Sequence, residues 1–378
     1  MKKQIIILLF FSTQLSAQNR DQNPHFPKIK ISAPCNQQFL ENYKGKWLIP
    51  DKTMENSPNK NYSQGAIQRI TEIHGFVKQI YPEPTGSDAY WRGAYSISDF
   101  AYTVKYVSED GRTQKEYLNR RQVEGWKYYI ILFAWICSGD NANEMWNGYP
   151  DAGGGNAIEV YANYIPILTG EFMDDEIWTI DGRPIKTKMP VVGKWKGYDM
   201  LATNGGQYAD QNSEWYILIT RNGMLPYIPI TRKEYLDRAI AYISKFYDNM
   251  IAFNEQNPDQ TEKAENKKRY IDAKDVAVKN LQHELEKTTK DGKLSAPAVV
   301  RRDAHFQTEG PIFLSEADGG VMLTTENPNY FRKDLPAYVP QLFVLSWMSG
   351  TETKWERDFR RAFEENFPVD SLQAMIDK

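Results

Sequence analysis

A metal centre needs ligands that one element can aim at a common point, and the four histidines, His25, His74, His283 and His305, lie too far apart for that. None belongs to an H-E-x-x-H or a paired Cys and His pattern, so each is expected to be solvent-facing or structurally satisfied. Asp210, Asn212 and Glu214 alternate as in a calcium loop. However, Trp215 stands where the turn requires glycine, and Arg221 where the bidentate glutamate belongs. A second oxygen-rich stretch, Asp140, Asn141, Asn143, Glu144, Asp151 and Asn156, reads as solvated loop. The glycines of Gly153-Gly154-Gly155-Asn156 are followed by no Lys-Ser/Thr and run into β-prone sequence, which makes them a turn and not a phosphate cradle. With no G-x-S-x-G elbow, no S-x-x-K and no cysteine beside a plausible histidine, neither a nucleophile nor a cofactor nor a metal is assigned.

Three features keep some chemistry in view. Paired carboxylates need closeness in space and no fixed spacing in sequence, and Asp174, Asp175 and Glu176 are the densest acids, although such a run reads first as a solvated turn. Ten tryptophans and 23 tyrosines include Trp91, Trp146, Trp195 and Trp215 near glycine-rich or polar loops. These four are the candidates for stacking on a ligand, against the alternative that they pack in or beside a sheet core. The two cysteines, Cys35 and Cys137, would if paired close a loop of about 100 residues, worth roughly 4.7 kcal/mol in chain entropy. Read as separate thiols, Cys137 ends an apolar strand and Cys35 lies in a polar, proline-bearing extension.

The elements that must position these residues follow from periodicity. Ile67, Ile70, Ile73, Val77 and Ile80 mark an amphipathic helix stopped by Pro82 and Pro84. Period-two sequence then takes over, with turn signals at Asp110-Gly111, Asp181-Gly182 and Asn222-Gly223, and a long aromatic and β-branched run over 126–136. Asn222-Gly223 is expected to join strands 215–220 and 224–230 as a hairpin. Thr231-Arg232-Lys233-Glu234 is a capping box, and Leu236, Ala239, Ile243 and Phe246 follow on one face. A second helix over 261–290 carries only the thin stripe Ile271, Val278, Leu281 and Leu285, so the two should project as a helical hairpin. Strands are expected at 312–314, 321–324 and 341–347, and short helices at 353–367 and 370–376. The fold class is therefore α+β: antiparallel sheets with flanking helices and a long helical hairpin. Tyr164-Ile165-Pro166, Tyr227-Ile228-Pro229 and Tyr338-Val339-Pro340 echo one another, as an old duplication would.

Organisation along the chain is read as a signal peptide at 1–17, an extended N-terminal arm at 18–61 and a helix-plus-β unit at 62–230. The hairpin at 231–290 follows, and then an α/β portion at 291–378 that either stands apart or packs with 62–230. Lys2 and Lys3, the apolar residues 5–11 and Leu15-Ser16-Ala17 before Gln18 have the order of a cleavable secretory signal. The apolar stretch is far shorter than the roughly 20 residues that span a bilayer. No cysteine follows the cleavage point directly, so the expectation is an exported protein, periplasmic or secreted, that is not a lipoprotein. Loss of Lys2 and Lys3 takes the formal charge from -3 to -5, and no basic run offers a footprint for nucleic acid. No later segment is apolar enough to cross a membrane.

Through the segment L-P-Y-I-P-I-T-R-K-E-Y-L at 225–236 and the Ser-Ala-Gln end of the signal, the chain resembles uncharacterised exported proteins of Bacteroidetes-type bacteria. The resemblance implies export and brings no catalytic or binding residues. The expected function is that of a non-enzymatic binding or structural protein of the cell envelope, with an envelope protein or a glycan as partner. The alternative is a hydrolase that attacks extracellular polysaccharide or peptide through paired carboxylates.

Overall fold

The computed structural model describes residues 28–50, 52–53, 63–95, 101–107, 113–119, 123–139, 141–147, 157–173, 175–202, 214–301, 310–348 and 353–378. The signal segment 1–17 lies outside them, as do His25, His305, Asp110, Asp140, Asp151, Asp174, Asp210, Asn212 and the glycines at 153–155. The arm contributes β1 (Lys28–Lys30), α1 (Gln37–Asn42) and β2 (Trp47–Leu48) ahead of α2 (Gln64–Ile80). A meander follows: β3 (Ser87–Tyr95), β4 (Ala101–Val107), β5 (Thr113–Asn119), β6 (Trp126–Cys137), β7 (Glu144–Asn147) and β8 (Ile158–Ala162). Short strands β9 (Leu168–Glu171), β10 (Thr179–Ile180), β11 (Arg183–Pro184) and β12 (Lys186–Lys188) lead into β13 (Val191–Trp195), β14 (Tyr198–Ala202), β15 (Glu214–Thr220) and β16 (Tyr227–Pro229). After the helices α3 (Arg232–Asn254) and α4 (Gln260–Lys290) come β17 (Val299–Val300), β18 (Val321–Glu326), β19 (Leu342–Met348), α5 (Lys354–Asn366) and α6 (Val369–Met375). The fold is α+β, with antiparallel sheets and two long adjacent helices.

Ten strands form the large sheet, whose main run is β2-β3-β6-β8-β19-β15-β14-β13; β7 continues beside β6 where β8 ends, and β1 lies beside β7. Every pair in it is antiparallel except β2 on β3. Period-two alternation divides its side chains cleanly. Tyr128 and Ile130 of β6, Val160 of β8, Leu345 of β19 and Ile217 of β15 meet one set of helices, through Ile70, Ile73 and Val77 of α2, Phe359 and Phe363 of α5, and Leu372 of α6. Each such side chain contributes roughly 1.5–3 kcal/mol by leaving water. The opposite face carries Tyr161, Tyr216, Leu342 and Val344, which pack against Ile165, Ile167, Met189 and Tyr330 from the connections. Because β19 lies between β8 and β15, the C-terminal portion is woven into the central sheet.

A second, five-stranded sheet in the order β16-β18-β12-β9, with β17 also on β18, supports the hairpin. Tyr235, Leu236, Ala239 and Ile243 of α3 and Leu281 of α4 bury against Ile185, Ile230, Val300 and Leu323. The capping box forms: Thr231 Oγ1 accepts the Glu234 N–H at 3.2 Å, and Glu234 Oε2 accepts the Thr231 N–H at 2.8 Å. Beyond Ile243 and Ala277 the pair extends with little left to bury, leaving Phe253 71 % and Val276 49 % exposed.

Several details depart from the expectations. Asn222 and Gly223 both adopt positive φ, 47° and 70°, but the strands they connect do not pair: β15 lies between β14 and β19, while β16 pairs with β18. The turn dihedrals are local, whereas β15 already has a neighbour on each edge, so the turn carries the chain from one sheet to the other. Asp181-Gly182 does close the β10–β11 hairpin, with φ of 51° and 75°. The segment 312–314 makes only a single bridge, Phe313 to Val300, and is not a strand. The arm is not merely extended, because it carries a short helix and two paired strands. The three Tyr-Ile/Val-Pro echoes occupy different settings: Tyr227–Pro229 is a strand, and the other two lie in connections after β8 and before β19.

Candidate functional site

The four tryptophans do not share a platform. Trp91 stacks on His74 with centroids 4.0 Å apart and planes at 10°, and Trp47 meets the same imidazole edge-on at 5.1 Å. Trp195 packs on Trp347 at 4.8 Å, and its indole N–H donates to the Glu364 carbonyl at 3.1 Å. Trp215 meets Trp347 at 6.0 Å and takes the Arg360 guanidinium over its ring at 4.3 Å. Trp146 lies on β7 opposite Lys28 and Ile136. All four are half-buried, and Trp91, Trp195 and Trp215 border the core on the helix side of the large sheet.

The expected acids also take structural posts. Asp175 caps a helical turn by accepting the Ile177 N–H at 2.9 Å and binds Lys245 of α3 at 3.0 Å, with Glu176 at 3.7 Å from the same ammonium. Asn141, Asn143 and Glu144 form the β6–β7 turn, where the Asn143 N–H donates to Asn141 Oδ1 at 3.0 Å. His283 is exposed on α4. Cys35 and Cys137 are joined in a disulfide with Cα atoms 5.5 Å apart, which ties the arm to the end of β6.

A different group of acids gathers on the large-sheet face that the helices leave uncovered. Glu159 and Tyr161 of β8 stand two residues apart, as do Glu214 and Tyr216 of β15, so period two puts each pair on one face. The Tyr161 hydroxyl donates to Glu159 Oε2, the Tyr216 hydroxyl donates to Glu214 Oε2, and Lys127 of β6 binds Glu159 Oε1 at 2.6 Å. Register sets Tyr129, Glu159, Ser346 and Tyr216 in one row across four strands. Burial, followed by the adjoining glutamates, pushes both phenols far above the ordinary tyrosine range, so they remain hydrogen-bond donors. Both oxygens of Glu159 are engaged and the residue is 5 % exposed, so the network acts as a satisfied polar seam inside the sheet face.

On the same face, beyond Tyr216 and its cross-strand neighbour Leu201, an open cleft of about 550 Å³ lies between the β13–β14–β15 end of the large sheet and the second sheet. Val191, Leu218 and Leu225 supply apolar surface over the buried Ile167 and Leu201, and Lys188, Asp199 and Tyr227 supply polar groups. Lys188, 5 % exposed, donates to the Met189 carbonyl at 3.1 Å and pairs with Glu316 at 3.0 Å. Lys194 pairs with Asp199 at 3.5 Å at the outer wall. The Tyr227 hydroxyl has no hydrogen-bond partner among the described residues; burial, then Glu316 and Asp199, pushes its pKa up to about 12. At one end Gln373 of α6 accepts from the Tyr198 hydroxyl at 3.2 Å and donates to the Thr220 carbonyl at 2.9 Å, which fixes that wall.

Among the described residues, no group of three or more His, Cys, Asp or Glu converges as metal ligands, and no helix is long and apolar enough to cross a membrane. No protein-family model, no curated protein and no solved structure matches the chain. The paired E-x-Y patterns Glu159-Val160-Tyr161 and Glu214-Trp215-Tyr216 are the trace of the seam that the sequence carries. The cleft left no such trace, since Lys188 and Glu316 are joined only by tertiary structure.

Proposed function

We propose that the chain is an exported, non-enzymatic binding protein that takes a small ligand into the cleft between its two sheets. The carrying observation is the cleft itself. Its volume of about 550 Å³ lies within the roughly 300–1,000 Å³ usual for ligand sites, and a few polar groups converge there over apolar walls. Asp199 is its one lining acid among the described residues, so the two acids that hydrolysis needs do not face each other there. Export is supported by the order of residues 1–17 and by the Cys35–Cys137 disulfide, a bond that persists in oxidising compartments. Methyl-labelled protein should show shifts at Ile167, Leu201 and Leu218 when a cell-envelope extract, separated into small-molecule fractions, is added. The reading falls if those methyls stay still while the protein turns over a glycan or peptide panel.

A hydrolase reading has one observation in its favour: Glu159 and Glu214 share a sheet face with tyrosines at hand. Against it, Glu159 is buried, and each of its oxygens already accepts a hydrogen bond from a neighbouring side chain, which holds it away from a substrate water. Turnover by the wild type that disappears in Glu214→Gln would establish the enzyme instead.

A further inference from the structure

We infer that the ligand of the cleft is a neutral saccharide, held by the Tyr227 hydroxyl and the Lys188 ammonium over the apolar strip; this rests on the binding reading above. The charges decide the class first. Lys188 is matched by Glu316 at 3.0 Å and Lys194 by Asp199 at 3.5 Å, so the four cancel in pairs. A phosphate, a nucleotide or a polysulfated chain needs surplus cations and finds none among the described residues that line the cleft.

The open hydrogen-bonding groups decide next. An ammonium carries three N–H donors; Lys188 directs one to the Met189 carbonyl and faces Glu316 at 3.0 Å as an ion pair outside hydrogen-bond geometry, so among the described residues its donors are not all used. Among the same residues Tyr227 is unpartnered, and with its pKa raised it stays a neutral phenol that both donates and accepts. A ligand that displaced water from these groups without replacing its hydrogen bonds would lose about 1–3 kcal/mol, so the site favours one that fills both positions. A sugar hydroxyl donates and accepts at once and serves either group.

Shape completes the case. Val191, Leu218 and Leu225 disfavour a purely polar ligand, whereas a pyranose ring offers a C–H face beside its hydroxyl rim. A peptide strand would instead seek the outer edge of β13, the last strand of the large sheet, where backbone groups are on offer.

The test titrates the mature full-length chain with glucose, N-acetylglucosamine, maltotriose and cellotriose, with trialanine and with inorganic phosphate, followed by calorimetry and by the methyl signals of Ile167, Leu201 and Leu218. At least one sugar should bind and shift those methyls. Tyr227→Phe, which keeps the ring, should weaken it roughly three- to tenfold, the worth of one neutral hydrogen bond. The double change Lys188→Met with Glu316→Gln, which removes both charges together and so strands neither, should weaken it at least as much. If trialanine or phosphate shifts the methyls and the sugars do not, the cleft stands and the saccharide falls. A sugar that binds equally well to both variants overturns the proposal too, and silence from every ligand removes the cleft reading with it.

Discussion

His74 shows how a single ring can make stability depend on pH. It is wedged between Trp91 and Trp47 with Nδ1 3.1 Å from the Tyr128 hydroxyl, and burial, helped by Lys78, lowers its pKa to about 4. In the unfolded chain the ring titrates near 6.5, so between about pH 6.5 and 4 the unfolded state binds the proton that the folded state refuses. Stability should therefore fall as pH drops through that window. His74→Phe should remove this part of the slope, and thermal melts of both proteins from pH 7 to 4.5 check it; parallel slopes would refute the assignment. The sheet-face seam behaves differently, because Glu159→Ala strands two partners at once. Lys127 loses its anion and Tyr161 its acceptor. With Lys127 about a quarter exposed, the loss expected in urea unfolding is about 2 kcal/mol, below the 3–5 of a fully buried pair. The residue types of this seam were readable, since E-x-Y in a strand puts both side chains on one face. Their assembly was not, because Ser346 enters the row from a strand near the far end of the chain.

Elements were legible where local chemistry settles them and illegible where a neighbour does. Capping and 3.6-residue periodicity fixed α2, α3 and α5 to within a few residues: Ser63 accepts the Ala66 N–H at 3.2 Å, and Thr231 and Thr353 each form a full capping box. Thr231→Ala should accordingly cost about 1 kcal/mol, read as a shift in denaturation midpoint without a change in slope. Asn222-Gly223 illustrates the other case, for its dihedrals suit a hairpin but both edges of β15 are occupied. The thin stripe on α4 correctly foretold a helix buried on one side near its root. That asymmetry makes a paired prediction: Leu281→Ala, at 2 % exposure, should lose about 2–5 kcal/mol, while Val276→Ala, half exposed, should stay within about 0.5. Equal losses at both sites would mean that the outer hairpin is packed against something.

For the molecule as a whole, the arm clasps one end of the large sheet through β7 and β3, the two strands that both pair with β6. It adds β1 antiparallel to β7 and β2 parallel to β3, with Cys35 bridged to Cys137 between the two contacts. Buried Asp88 secures the second contact by accepting the Lys46 N–H at 2.9 Å and the Asn147 amide at 2.9 Å. The cysteines were visible in the sequence but their approach was not, because it depends on the β6–β7 turn presenting Cys137 to a segment that arrives from the other end of the meander. Short strands of three and two residues cannot hold such an arm firmly alone. The bridge, which closes a loop spanning 102 positions, should supply much of the restraint, up to about 4.7 kcal/mol in the chain-entropy picture. Replacing both cysteines with serine should lower the unfolding free energy by several kcal/mol. Hydrogen exchange should then quicken first at Ile31 and Cys35, whose N–H groups donate to the Asn143 and Ala142 carbonyls, while Ile217 and Leu345 in the middle of the sheet keep their protection. If Ile31 and Cys35 stay as protected as in the bridged protein, strand pairing and Asp88 hold the arm by themselves and the disulfide acts only on the unfolded chain.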